Sequence, residues 1–219
     1  MNKNEVIQQI CQIGIIPSVR VSSIYEAEFA AEMLYSAGIP IAEITLTLPE
    51  APAVIAKVAS RHPDMILGAG TVLDAGTARR CIDAGAGFIT SPGFIPEVVA
   101  FANQAGTVVL PGALTPTEVI AAWKAGADFV KIFPAAIAGG APYIRALRVP
   151  LPQIPLIVTG GVNQLTAFDY ILAGASAIGV GRALLPTEAL RQREHHRIHE
   201  LALRFLTMVR QARSQRDAE

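Results

Sequence analysis

A chain of 219 residues suits one compact domain and is short for two. Apolar residues make up 52% of it and charged residues only 16%, with a mean hydropathy of +0.42, a composition that suits parallel strands covered on both faces. The 18 basic residues balance 18 acidic ones, which excludes a global field for nucleic acid or a charged membrane and leaves any anionic ligand to local groups.

The chain opens with MNKNEVIQQICQIG (1–14), a charged stretch without the apolar run of a signal peptide, read here as an N-terminal helix. Eight short apolar runs follow: IIPSVR (15–20), IAEITLT (41–47), MILGAGT (65–71), FITSPG (88–93), TVVLPG (107–112), FVKIFP (129–134), PLIVTGG (155–161) and AIGVG (177–181). Their starts lie 19 to 26 residues apart, room for one helix and two loops each time. The stretches 25–38, 74–87, 115–128 and 164–176 read as helices, several ending in Ala-Gly, where glycine supplies a left-handed cap. Thr115 and Glu118 have the spacing of a capping box. The tail from Thr187 to about Arg213 reads as one long helix that closes the barrel. Strands alternating with helices imply βαβ units, and eight of them with no linker predict a single (β/α)₈ TIM barrel over residues 1–219. No GxGxxG motif follows the first strand, which argues against dinucleotide binding. Two sparse cysteines, Cys11 and Cys81, fit a reducing compartment, and no segment reaches the roughly 18 apolar residues of a membrane span, so a soluble, cytoplasmic protein is expected.

In such barrels the active site lies at the C-terminal ends of the strands. Alternation puts Phe129, Lys131 and Phe133 of the sixth run on one face, and Lys131 is the only lysine in any of the runs. An ammonium in an apolar strand is costly unless it is paired or gives up its proton, and only the neutral amine attacks a carbonyl. Glu43 is the only acid in the eight runs and shares a face with Thr45 and Thr47, which makes it a proton-transfer group or an ion-pair partner of Lys131 or Arg20. Arg20 ends the first run, always charged, and is suited to clamp a carboxylate or orient Glu43. Thr159-Gly160-Gly161 after the seventh run and Gly179-Val180-Gly181-Arg182 after the eighth fall where barrels bind phosphate through backbone amides. His195, His196 and His199 share the tail with Arg191, Arg193, Glu194, Arg197 and Glu200, a pattern of a solvated helix face, so no metal site is expected.

Together AEITLTLPEA (42–51), GAGTVLD (68–74), FITSPGF (88–94), LPGALTPTEV (110–119), FVKIFPA (129–135), VTGGVN (158–163) and AIGVGRALL (177–185) resemble the 2-keto-3-deoxy-6-phosphogluconate (KDPG) / 4-hydroxy-2-oxoglutarate (KHG) aldolase family over nearly the whole chain. The resemblance implies a cofactor-free, homotrimeric class I aldolase of the Entner–Doudoroff pathway, with pyruvate as one product. It implies Lys131 as the Schiff-base residue and Glu43 as the proton carrier. Thr71 and Pro92 would line the keto-acid pocket, Phe133 would pack beside the lysine, and Arg20 would bind the carboxylate. Thr159, Gly160 and Gly161 would hold the far end of the substrate, with Gly181 completing a phosphate site. Two positions depart from many members: Thr47 stands where some carry arginine, and Arg182 where many carry serine. Three rival readings are KHG or galactonate-epimer cleavage, a phosphosugar isomerase using Glu43 as base, and a silent binding barrel.

Overall fold

The computed structural model describes residues 1–218 and shows the expected parallel barrel. Four strands open it in order, β1 (Ile15–Val19), β2 (Ile41–Thr45), β3 (Ile66–Gly70) and β4 (Phe88–Thr90). The fifth run is two segments, β5 (Val108–Leu110) and β6 (Gly112–Ala113), divided at Pro111, which has no amide to give to a ladder. β7 (Val130–Ile132), β8 (Leu156–Thr159) and β9 (Ala177–Val180) complete the set. Neighbours pair in parallel around the circle, with β9 against β1, β5 against β4 and β6 against β7. The nine segments therefore make eight staves, and the seam of the closed barrel runs through Pro111, whose carbonyl accepts from Lys131 N at 2.9 Å.

Between the strands run α2 (Ile24–Ser36), α3 (Ala51–Arg61), α4 (Ala75–Asp83), α5 (Pro96–Gln104), α6 (Pro116–Lys124), α7 (Gly140–Arg148) and α8 (Ala167–Leu172). Three of the starts are written in the sequence as caps. Ser23, Asp74 and Thr115 each accept a hydrogen bond from the third helical amide, and Thr115 with Glu118 forms the expected capping box. α8 is shorter than the expected 164–176, because Asn163 takes Leu165 N on its own side chain at 2.8 Å and holds the preceding residues in a turn.

The ends of the chain differ from expectation. The tail is two helices, α9 (Thr187–Arg191) and α10 (His195–Arg216), not one. Arg193 adopts φ 52 between them, Glu194 N donates to Ala189 O at 2.9 Å, and the guanidinium of Arg193 lies 5.9 Å from the ring centre of Phe29. The turn trades one strained residue for packing of both helices on α2. α10 joins the outer ring against α2 and α8 rather than closing the barrel. Closure falls to α1 (Lys3–Ile13), which buries Val6 and Ile10 beneath the strands and ties Lys3 to Asp128 at 3.0 Å. Among the described residues no helix is long and apolar enough to cross a membrane.

Candidate active site

The inward face of the barrel changes character with height. Phe88 is fully buried in the lower part, and Thr90, two residues on and so on the same face, belongs to a polar layer above it. That layer contains Lys131 from the middle of β7 and Glu43 from the middle of β2, with 8% and 3% of their surfaces exposed. Lys131 Nζ lies 3.4 Å from Glu43 Oε2 and donates to Thr90 Oγ1 at 3.1 Å. Thr90 in turn donates to Glu43 Oε2 at 2.9 Å, and Ser18 Oγ donates to Oε1 at 3.1 Å. A buried carboxylate is thus paired with one cation and two hydroxyls, the condition under which such a charge is tolerated. Amine, hydroxyl and carboxylate form a continuous chain along which a proton can pass.

Sequence reading overlooked Ser18, Thr90 and Gly70. The first two carried a usable signal: each is a polar side chain within an otherwise apolar strand. Gly70 follows from packing, since a Cβ there would sit 2.4 Å from Glu43 Oε1. Gly70→Ala is expected to push the carboxylate off Lys131 and to lower any turnover that relies on the pair about 10²-fold or more, while leaving the lysine amine itself in place. Unchanged kcat would show that the carboxylate position is unimportant.

Above the pair opens a cleft of about 490 Å³, lined among others by Phe133, Thr159 and the loops 160–162 and 181–183. Phe133 is 37% exposed, with its ring centre 5.9 Å from Lys131 Nζ. Thr159 is 7% exposed, and its hydroxyl has no hydrogen-bond partner among the described residues. The amides of Gly160, Gly161, Val162, Gly181, Arg182 and Ala183 donate to no other described residue, so two strand-end loops present unpaired donors to the same space. The glycine pair also has a packing reason: Gly160 and Gly161 both sit at φ 86, and a Cβ on Gly161 would lie 2.3 Å from that of Ala136. Arg20 and Arg182 line this cleft and an adjoining hollow of about 170 Å³ that also includes Thr187 and Arg191. Neither arginine has an ion-pair or hydrogen-bond partner among the described residues.

Three expected positions lie apart from this lining. Thr47 is exposed in the turn beyond β2, where its hydroxyl meets that of Thr45 at 2.7 Å instead of pointing down the barrel face. Strand alternation stops applying once β2 ends at Thr45. Thr71 follows β3 in the left-handed region at φ 63, a strained conformation of the kind found at functional sites, yet outside the cleft lining. Pro92 lines a separate hollow that shares Phe133 with the main cleft. In the tail, His195 packs edge-on against Phe29 with centroids 4.9 Å apart, and His196 meets Glu200 at 3.8 Å.

The chain has known relatives. The family model described as "Aldolase: KDPG and KHG aldolase" matches residues 6–201. A "KHG/KDPG aldolase" of Escherichia coli (strain K12) is 31% identical over 86% of this chain and 88% of its own length. A "Probable 2-dehydro-3-deoxy-6-phosphogalactonate aldolase" of Rhizobium meliloti (strain 1021) is 35% identical over 73% of this chain and 76% of its own. Among solved structures, KDPG aldolase from Legionella pneumophila, with pyruvate captured as a covalent carbinolamine, superposes with a TM-score of 0.84 at 30% identity, covering 90% of this chain and 95% of that one. With a buried lysine–glutamate pair inside a parallel barrel and a family match over nearly its whole length, the chain belongs to the KDPG and KHG aldolase family.

Proposed function

We propose that this chain is a class I aldolase that cleaves KDPG to pyruvate and glyceraldehyde 3-phosphate through a Schiff base on Lys131. The observation that carries this is the Nζ of Lys131, buried at the cleft floor with Thr90 and Glu43 beside it. The amine attacks C2 of the keto acid to give a carbinolamine, and loss of water leaves an iminium. Glu43, through a water, takes the proton of the C4 hydroxyl. The C3–C4 bond then breaks, its electrons pass to the iminium nitrogen, and the aldehyde departs from the enamine. Protonation of the enamine at C3 and hydrolysis release pyruvate and restore the lysine, so no external redox partner is needed.

The two unpaired arginines and the open amides divide the substrate's charges between them. Arg20 takes the carboxylate, Phe133 covers the reacting carbons, and Thr159 donates to a distal hydroxyl. Gly160, Gly161, Gly181 and Arg182 receive the phosphate. Thr71 and Pro92 flank the keto-acid end from neighbouring loops, and Thr47 acts only through Thr45. KHG and the galactonate epimer of KDPG are the competing substrates, since relatives carry those names and the pyruvate half is common to all. The barrel works in the cytoplasm as a homotrimer of single-domain chains within the Entner–Doudoroff pathway, a reading that rests on family membership. Light scattering at working concentration tests the trimer.

Borohydride with pyruvate tests the chemistry. A stable pyruvyl-sized adduct on Lys131 is expected, and absence of any adduct overturns the imine. Arg182→Ser should raise the KM for KDPG roughly tenfold while leaving that for KHG nearly unchanged, the size of one lost charge-assisted contact. Equal changes for both substrates would remove Arg182 from the phosphate site.

A further inference from the structure

The barrel has a second hollow of about 490 Å³, lined by Cys11, Arg148, Gly174, Ser176, Arg213 and Arg216. These residues sit where helices end and strands β1, β8 and β9 begin, the face opposite the active cleft. That face of a barrel ordinarily serves stability alone. Among the described residues its lining is three guanidinium groups and no carboxylate.

The guanidinium groups are held in place by main-chain carbonyls. Arg213 donates to Gln12 O at 2.7 Å, to Ser176 O at 3.1 Å and to Cys11 O. Arg148 donates to Ile154 O at 2.8 Å and Arg216 to Ile171 O at 3.4 Å. These contacts fix orientation and replace water, but a helix C-terminus offers only about half a negative charge. Asp217 approaches Arg216 at 3.6 Å and is 72% exposed, so it offsets little. Burial first, and then the charge of Arg216, pushes the guanidinium groups of Arg148 and Arg213 below the ordinary arginine range. Like charges have been brought together and partly dried, which costs stability unless something negative enters. Ser176 lines the same space, and its hydroxyl bonds to no other described residue.

We infer that this hollow is a binding site for a compact oxyanion of two or more negative charges, carried by phosphoryl or carboxylate groups. Guanidinium forks suit the paired oxygens of either group, and a polyvalent anion is needed to balance several of them. Because Arg213 joins α1, α10 and the lead into β9, an anion bound there also ties the barrel floor to both ends of the chain. Binding on this face is independent of the cleft that holds Lys131.

Cys11 provides a local reporter, since Cys81 is buried and its thiol is pushed up to about 11 by desolvation. Alkylation of Cys11 by neutral iodoacetamide, followed by mass spectrometry, is measured with and without pyrophosphate. Burial pushes the Cys11 thiol up and the charge of Arg213 offsets part of that rise, so bound pyrophosphate is expected to slow alkylation about tenfold, by covering the thiol and cancelling the offset. Protection should vanish in the Arg148→Met/Arg216→Met variant, which leaves the active cleft intact. No protection in the wild type overturns the proposal, and protection that persists in the double variant places the anion elsewhere. Should the double variant fail to fold, Ser176→Asp decides: a tethered carboxylate should slow Cys11 without any pyrophosphate and abolish the response to it. Alkylation at the wild-type rate with the response intact rules the hollow out.

Discussion

Lys131→Met removes cleavage activity, with kcat lowered on the order of 10⁴-fold or more and no borohydride-trapped adduct. Methionine fills nearly the same length of the barrel, so the fold persists. The cost falls on Glu43, which keeps its bonds from Ser18 and Thr90 but loses its one ion-pair partner among the described residues. Stripping a buried carboxylate of its partner destabilises by about 3 kcal/mol or more when the pair is isolated, and the two hydroxyls reduce that figure here. Thermal denaturation therefore has to accompany the kinetics. A folded variant retaining even a hundredth of wild-type activity would rule out an imine on this residue.

The second large effect is on proton transfer. Glu43→Gln keeps shape and volume but cannot carry a proton, and kcat should fall about 10²- to 10⁴-fold. The imine should still form, because the nucleophile is intact, and slow trapping by borohydride separates this variant from Lys131→Met. The amide places a donor where Oε1 accepts from Ser18 or where Oε2 accepts from Thr90 and Lys131. Depending on which way the amide turns, the bond from Ser18 or those from Thr90 and Lys131 must be lost or, at a hydroxyl, reversed. Activity within a factor of a few of the wild type would show that Glu43 serves only as a counter-ion.

The barrel was legible because its signals are local and repeated. Each apolar run, in three cases followed by a capped helix start such as Thr115 before α6, specifies one βα unit without help from the rest of the chain. Lys131 and Glu43 were legible for a related reason: a charge in an apolar strand stands out, and alternation says which way it points. The remaining site is made of relations between strands, which spacing does not encode. Thr90 has meaning only because β4 carries it between the lysine of β7 and the glutamate of β2. Gly70 matters because the Glu43 side chain crosses it. Thr47 was misplaced when alternation was carried past the end of β2, and the tail was read as one helix because nothing in the sequence shows Arg193 turning left-handed against Phe29.

The loop after β7 hydrogen-bonds to the end of β8 and the loop beyond it, Ala135 N to Thr159 O at 2.9 Å and Ala136 N to Gly160 O at 3.0 Å. The stave that carries the nucleophile and the loop that presents the distal amides are therefore stitched together by main chain. In the proposed substrate pose this backbone acts as a ruler, with the reactive carbon at one mark and the far anion at another. Altered side chains around the cleft would change how firmly a substrate is gripped, but the carbon count between those marks is set by the backbone. Evolution toward longer or shorter aldehydes would then have to proceed by inserting or deleting residues in these two loops.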